Sequence, residues 1–358
     1  VEAVYPSLSF AIRPPMDPPG SELTARGRDV RGVYVPYPRL RSWSPQRLAS
    51  WARQIGADAV IMDVKDDHGR VTFRNDLPLA KGSPHGEVRH MNEILSVLRQ
   101  DGIYSIGRLV CFKDDNLARV RPAEALRHRR TGAVWRDRGD FAWVDPHSHV
   151  AHEHIATVAR AAQEIGFDEV QLDYVRFPVE SGAINAVFPR REGDPKRHEV
   201  IASLLSRVDR AISIPLSIDV FGLTAYHPGD ADGLGQSLEH LAPYIDAISP
   251  MVYLANWPRR FYENPTPAST HALVNGAVRA IRRRLGDGVA VRPLLQAFAW
   301  RAKGFGTPFI HNQIDAAVAG GSSGYLFWNQ SANYQRVQAA FSQLDRQEVR
   351  SIPVISRR

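Results

Sequence analysis

The sequence is poor in cysteine, in long apolar runs and in acidic residues. Cys111 is the only cysteine among 358 residues, so no internal disulfide can form and the redox compartment goes unmarked. It lies in IGRLVCF, a strand-like run, where a packed core thiol is expected rather than a nucleophile. No stretch approaches the roughly 18 apolar residues of a membrane helix, so no membrane span is expected. Acidic residues are outnumbered, 38 Asp and Glu against 45 Lys and Arg, for a net charge of +7. That balance favours anionic surroundings. The basic runs RHRR (127 to 130) and RRR (282 to 284) are nevertheless short, dispersed and free of interleaved aromatics, so no nucleic-acid partner is expected. A Gly-x-Gly-x-x-Gly turn after the first apolar run is also lacking, which argues against a dinucleotide fold, and no cofactor is expected.

What the chain has is a rhythm. Residues 1–29 carry five prolines and little periodicity, and read as an extended arm or linker. Then eight apolar runs recur: GVYVP (32 to 36), AVIMDV (59 to 64), YSIGRLVCF (104 to 112), EVQLDYV (169 to 175), PLSIDVF (215 to 221), AISPMVY (247 to 253), VRPLLQAF (291 to 298) and GYLFW (324 to 328). Helical patterns lie between them, among them SPQRLASWARQIG with Ser44 as N-cap and Pro45 at the first helical position, and LGQSLEHLAPYI. Eight alternating units predict an α/β fold, a (β/α)₈ TIM barrel over residues 30–348, with residues 349–358 as a C-terminal tail. Long connections after the third (113 to 147), fourth (177 to 194) and sixth (254 to 269) runs fall on the face where barrels build their sites. The chain begins at Val1 rather than Met, which fits removal of a leader and export to the periplasm, the cell surface or the medium.

Strand ends converge in a barrel, so the residues closing each run form one polar ring. They include Asp63, Lys65 and Asp66 from the second, Asp173, Tyr174 and Arg176 from the fourth, and Asp219 from the fifth. Tyr253 with Asn256, Gln296, and Trp328 with Asn329 follow from the sixth, seventh and eighth. Carboxylates, amides and aromatics together suit a carbohydrate. Glycosidic cleavage needs one carboxyl to protonate the leaving oxygen and a second to attack the sugar or activate water. Asp173 and Asp219, ending adjacent strands, are the expected pair, with Asp173 as nucleophile or base and Asp219 as general acid. Arg176 and Lys65 are expected to hold the nucleophile ionised. All the ring residues besides that pair, Lys65 and Arg176 included, are expected to bind the sugar of a poly- or oligosaccharide, acidic if the basic excess gathers at the mouth.

Each choice has a plainer competitor. Aspartate at a strand end also caps the following helix or braces a loop, and DVKDDHG is ordinary turn chemistry. His147, His149, His152 and His154 crowd one segment and suggest a metal-dependent polysaccharide hydrolase or deacetylase. Their spacing does not put all four on one helix face, so no metal is expected. A non-catalytic carbohydrate-binding or assembly protein on the same barrel is the other alternative.

The motifs RGVYVP, ADAVIMDVKDDHGRVTF, GFDEVQLDYVRFP, SIDVFG, ISPMVY and GYLFWN resemble those of the DUF4015 family of bacterial barrel proteins grouped with glycosidases. The resemblance spans about residues 30 to 345. It implies a glycoside hydrolase acting on a bacterial exopolysaccharide, with Asp173 on the family's strongest acidic motif and Asp219 on its second. Lys65 and Asp66 fall on the polar end of the second strand. One departure stands out: after PMVY the family tends to continue Pro-Ser-His-Tyr, whereas this chain reads LANW, so Asn256 replaces the expected rim histidine. That implies an altered substrate preference.

Overall fold

The computed structural model describes residues 23, 25–73, 75–80, 87–230, 233–263 and 265–351. Eight parallel strands close on themselves. They are β1 (Val30–Val35), β2 (Ala59–Lys65), β3 (Tyr104–Val110), β4 (Glu169–Asp173), β5 (Leu216–Phe221), β6 (Ala247–Met251), β7 and β8 (Gly324–Trp328). Strand β7 comes in two pieces, Ala290–Val291 and Leu294–Gln296, because Pro293 brings no N–H to the ladder. Neighbours pair in chain order, from Val33 with Val60 through Gln296 with Trp328, and β8 returns to β1 with Leu326 against Gly32. The expected TIM barrel is the fold.

Strand alternation sorts the side chains. Val60, Met62, Val64, Val170 and Leu172 face the helical shell, while Ala59, Ile61, Tyr104, Ile106, Leu294 and Leu326 fill the barrel interior. At Gly32 a Cβ would collide with the Leu326 side chain, so β1 has to be bare where β8 is bulky.

The connecting helices begin and end where their caps predict. Pro45–Ile55 starts on Ser44, whose Oγ accepts from Arg47 N–H at 3.2 Å, and stops at Gly56 with φ 81°. His149–Ile165 starts likewise on Ser148, and Pro267–Leu285 on Thr266. The helix expected over LGQSLEHLAPYI is shorter, with only Leu238–Leu241 α-helical and Ala242–Tyr244 a 3₁₀ turn, since Pro243 cannot continue the ladder. The last helix, Gln335–Ser351, runs past the expected boundary at residue 348.

Residues 1–22, most of the expected arm, lie outside the described residues. Its end is not extended. Ala25–Arg28 form a helical turn, Leu23 packs on Ala247 and Ala290, and the Gly27 carbonyl accepts from buried Arg292 at 2.8 Å. The arm's end therefore seals the N-terminal mouth of the barrel. At the opposite mouth, a small antiparallel ribbon pairs Arg127–His128 with Ala186–Val187 and joins the loops after β3 and β4. Arg190 clamps Glu124 across the same junction at 2.7 and 2.9 Å. No helix among the described residues is long and apolar enough to cross a membrane.

Candidate active site

The long loops surround a cavity of about 1080 Å³ at the C-terminal mouth of the barrel. Asp173 and Asp219 both line it. Strands β4 and β5 pair Leu172 with Ile218, so the two aspartates come next along neighbouring strands, which lie about 4.8 Å apart.

Their surroundings differ sharply. Asp173 is gripped: its Oδ2 accepts from Arg108 Nε at 2.9 Å and Nη2 at 2.6 Å, and its Oδ1 accepts from the Tyr174 N–H at 2.7 Å. That last bond depends on Tyr174 adopting φ +50°, a left-handed conformation uncommon for a bulky residue, which folds its amide back onto the preceding carboxylate. Asp219 is 2% exposed, and its Oδ1 has no hydrogen-bond partner among the described residues. Burial, reinforced by the negative charge of Asp173, pushes its carboxyl well above the usual carboxylate range, against the pull of Arg108 and Arg292. The pair therefore combines a charge-bonded carboxylate with a carboxyl that favours keeping its proton.

Arg108 is the hub, and it was absent from the sequence expectations. Its Nη1 donates to Asp63 Oδ1 at 2.7 Å, Asp63 Oδ2 accepts from Tyr34 Oη at 2.6 Å, and Tyr34 stacks on Trp328 with centroids 3.8 Å apart. The Arg108 guanidinium also lies 4.9 Å from the Trp328 ring centroid. A signal was available in YSIGRLVCF: Arg108 shares strand parity with the interior residues Tyr104 and Ile106, and a cation inside a barrel needs a carboxylate. The aromatics Phe221, Phe298 and Trp300, also unanticipated, line the same cavity.

The structure brings Asp173, Tyr174, Arg176, Asp219, Tyr253, Asn256, Trp328 and Asn329 to the cavity. Asp63, Lys65, Asp66 and Gln296 do not line it. Asp63 sits one layer back, holding Arg108. A register shift between Asp63 and Lys65 ends the strand alternation, and Lys65, 0% exposed, pairs with Asp114 at 2.7 Å. Asp66 braces a turn, accepting from the amides of His68 and Arg70 at 3.0 Å each. Gln296 works from behind, its Nε2 donating to the carbonyls of Phe298 and Trp300. Arg176 lines the cavity but gives its charge to Glu180 at 2.6 Å, so Arg108, rather than Arg176 or Lys65, is the cation on Asp173. Asn329 is committed to its own loop and the one after β7, accepting from the Ser331 N–H and donating to the Ala297 carbonyl. Burial, with Asp219 and Asp173 nearby, keeps the Tyr253 phenol neutral and able to donate.

The histidine cluster does not converge. His147 bonds Asp145 at 2.8 Å, His152 bonds the Pro146 carbonyl at 2.7 Å, and His149 faces solvent. Burial lowers His152 and His154 to about 4, which leaves both imidazoles neutral at ordinary pH. Among the described residues no group of three or more His, Cys, Asp or Glu is placed to hold a metal ion. Cys111 is a core thiol as expected, fully buried and pushed far from thiolate formation by that burial.

Similar architectures occur among solved structures. The glycoside hydrolase domain of PgaB (BpsB) from Bordetella bronchiseptica superposes with a TM-score of 0.64 at 15% identity, covering 87% of this chain and 98% of that one. Alpha-L-fucosidase isoenzyme 2 from Paenibacillus thiaminolyticus gives 0.61 at 12% identity, covering 90% of this chain and 50% of that one. A hypothetical protein from Ruminiclostridium thermocellum is 29% identical over 52% of this chain and 97% of its own, with a TM-score of 0.47. At these levels the first two show a shared barrel. No curated protein matches. The sequence profile of DUF4015, described as "Putative glycosyl hydrolase domain", matches residues 32–334, from within β1 to the loop after β8, and the chain belongs to that family.

Proposed function

We propose that the protein hydrolyses a glycosidic bond in a bacterial polysaccharide, with Asp173 as nucleophile or base and Asp219 as general acid. The observation that carries this reading is the contrast between two neighbouring carboxyl groups facing one cavity, one hydrogen-bonded on both oxygens and the other buried with an unbonded oxygen. Arg108 and the Tyr174 amide supply three donors to Asp173, whereas burial, reinforced by the negative charge of Asp173, favours the protonated form of Asp219. Environments that push two acids apart are what acid and base roles require.

In the derived sequence of events, Asp219 transfers its proton to the glycosidic oxygen as the bond to the anomeric carbon breaks. Asp173 either attacks that carbon or takes a proton from the water that does. If Asp173 has attacked, the deprotonated Asp219 then takes a proton from a water that attacks the anomeric carbon and displaces the Asp173 carboxylate; if water attacked directly, Asp173 gives its proton to solvent and Asp219 regains one from it. Trp328, backed by Tyr34, offers an apolar surface beside the reacting pair, and neutral Tyr253 offers a donor. The family and the hydrolase domain named in the PgaB (BpsB) structure agree with this class of reaction.

The test is release of reducing ends from bacterial exopolysaccharides by the wild type and by Asp173→Asn and Asp219→Asn. Product from the wild type, cut by about 10³-fold or more in both variants, is expected. Full activity in both variants would overturn the assignment. Following the anomer first released by NMR then decides between attack by Asp173 and attack by water.

A further inference from the structure

We infer that the loop after β7 carries a second sugar-binding position built on Trp300, and that the cavity takes an uncharged or N-acetylated glycan longer than one sugar. The inference rests on the carbohydrate reading of the cavity and extends it to the kind of chain bound.

Trp300 is 60% exposed, while the other six tryptophans are buried or half-buried. Single exposed hydrophobic residues are common and by themselves mean little. What sets Trp300 apart is how firmly it is held in solvent. Gln296, fully buried at the end of β7, donates to the Trp300 carbonyl at 2.8 Å and the Phe298 carbonyl at 3.0 Å, and accepts from the Ala255 N–H at 3.3 Å. Arg301, at φ +53°, donates to the Ala255 carbonyl at 3.1 Å and lies 4.3 Å from the Trp300 ring centroid and 4.6 Å from that of Tyr262. The loop is thus tied from two sides to the loop after β6. A buried amide and a left-handed arginine are unusual investments for an indole that covers no core.

Trp300 and Trp328 line the same cavity from loops at the ends of different strands. Trp328 lies next to Arg108, and through it next to Asp173, whereas Trp300 sits out at the solvent edge. The volume of about 1080 Å³ exceeds the roughly 300–1,000 Å³ of ordinary small-molecule pockets, which leaves room beyond a sugar at the carboxyl pair. Two aromatic surfaces at different depths suit successive rings, each stacking its apolar C–H face.

Charge placement decides the sugar type. The lining holds Arg108, Arg176 and Arg336 against Asp173, Asp219 and Glu180. Arg108 is committed to Asp173 and Asp63, and Arg176 to Glu180. Arg336 remains, exposed at the rim where salt screens it. The exposed amides of Asn256, Gln330, Asn333 and Gln335 also line the cavity. Amides serve hydroxyl and acetamido groups equally and give a carboxylated sugar no counter-ion. The net positive charge of the chain is therefore not gathered here. Arg284 of the RRR run, for example, holds Glu239 at 2.6 and 2.7 Å.

The experiment uses the folded Asp173→Asn protein, with turnover suppressed, on an array of neutral, N-acetylated and acidic bacterial polysaccharides and their oligosaccharide ladders. Calorimetry then follows on the ladder bound best. A neutral or N-acetylated ladder is expected to bind more tightly as it lengthens. Adding Trp300→Ala is expected to weaken the long members about tenfold and leave the shortest unchanged. Arg301→Ala should weaken the same members by a smaller factor. Unchanged affinity along the ladder, preference for acidic glycans, or no binding across the array would overturn the inference. Its failure stays separable from that of the hydrolase reading. Length-dependent binding through Trp300 without cleavage by the wild type sinks only the hydrolase, and cleavage indifferent to Trp300→Ala sinks only the subsite.

Discussion

The two ends of β4 carry the same chemistry under opposite conditions. Glu169 opens the strand and Asp173 closes it, four residues apart on the same interior face. At the sealed end Glu169 is 0% exposed and fully satisfied by Arg292, the Ser217 hydroxyl and the Tyr104 phenol at 3.1 Å. At the open end Arg108 grips Asp173 and Asp63, and the neighbouring Asp219 is left, among the described residues, with an unbonded buried oxygen. Two strands thus present Glu169 with Ser217 at one mouth and Asp173 with Asp219 at the other. Buried charge that is completely paired locks the barrel, and buried charge left incomplete beside a cavity is available for chemistry.

The sharpest way to break that comparison is to remove one acid from each end. Glu169→Ala should cost about 3–5 kcal/mol of stability in urea denaturation, because Arg292 is left as an unpaired buried cation. Asp173→Asn should leave the urea midpoint much closer to wild type while abolishing turnover. If the two variants lose stability equally, the ends do not differ in kind.

Arg108 tests the open end with a smaller effect. Arg108→Met, which keeps bulk against Trp328, should lower kcat by about 10²-fold with KM little changed, since it releases Asp173 from its hydrogen bonds. The guanidinium also holds the Asp219 carboxyl down, so its loss should move the alkaline limb of the kcat profile to higher pH. A role confined to packing predicts a lower Tm and an unmoved limb.

The smallest expected effect is a dependence of stability on pH. The folded value of Asp219 is raised, so the folded state holds that proton more tightly than the unfolded one. Its contribution is then complete below the ordinary value of about 3.9 and is lost as pH rises through the folded value. Asp219→Asn removes this loss, so the variant should gain stability over wild type progressively with rising pH. A constant difference across the range would show that Asp219 is not proton-linked to folding.

Much of this was legible along the chain. EVQLD alternates polar and apolar residues, and the structure sends Val170 and Leu172 to the helices and Glu169, Gln171 and Asp173 inward. The Ser44 and Pro45 start signals and the eight-fold alternation were equally local, as was the glycine stop of the first long helix. Lys65 was not, because strand parity predicts an inward lysine and a register shift after Asp63 redirects it to Asp114. Gln296 and Asn329 were placed correctly at strand ends but spend their amides on backbone carbonyls, a choice that depends on the course of neighbouring loops.

The barrel and the location of its polar strand ends follow from local sequence, because periodicity, caps and turns are encoded within a few residues. Which of two aspartates is gripped and which is left bare follows only from long-range packing. That outcome depends on Arg108 reaching across from β3 to Asp63 and Asp173 at once, and hydrogen bonds between residues 45 and 65 positions apart exist only after the barrel has closed.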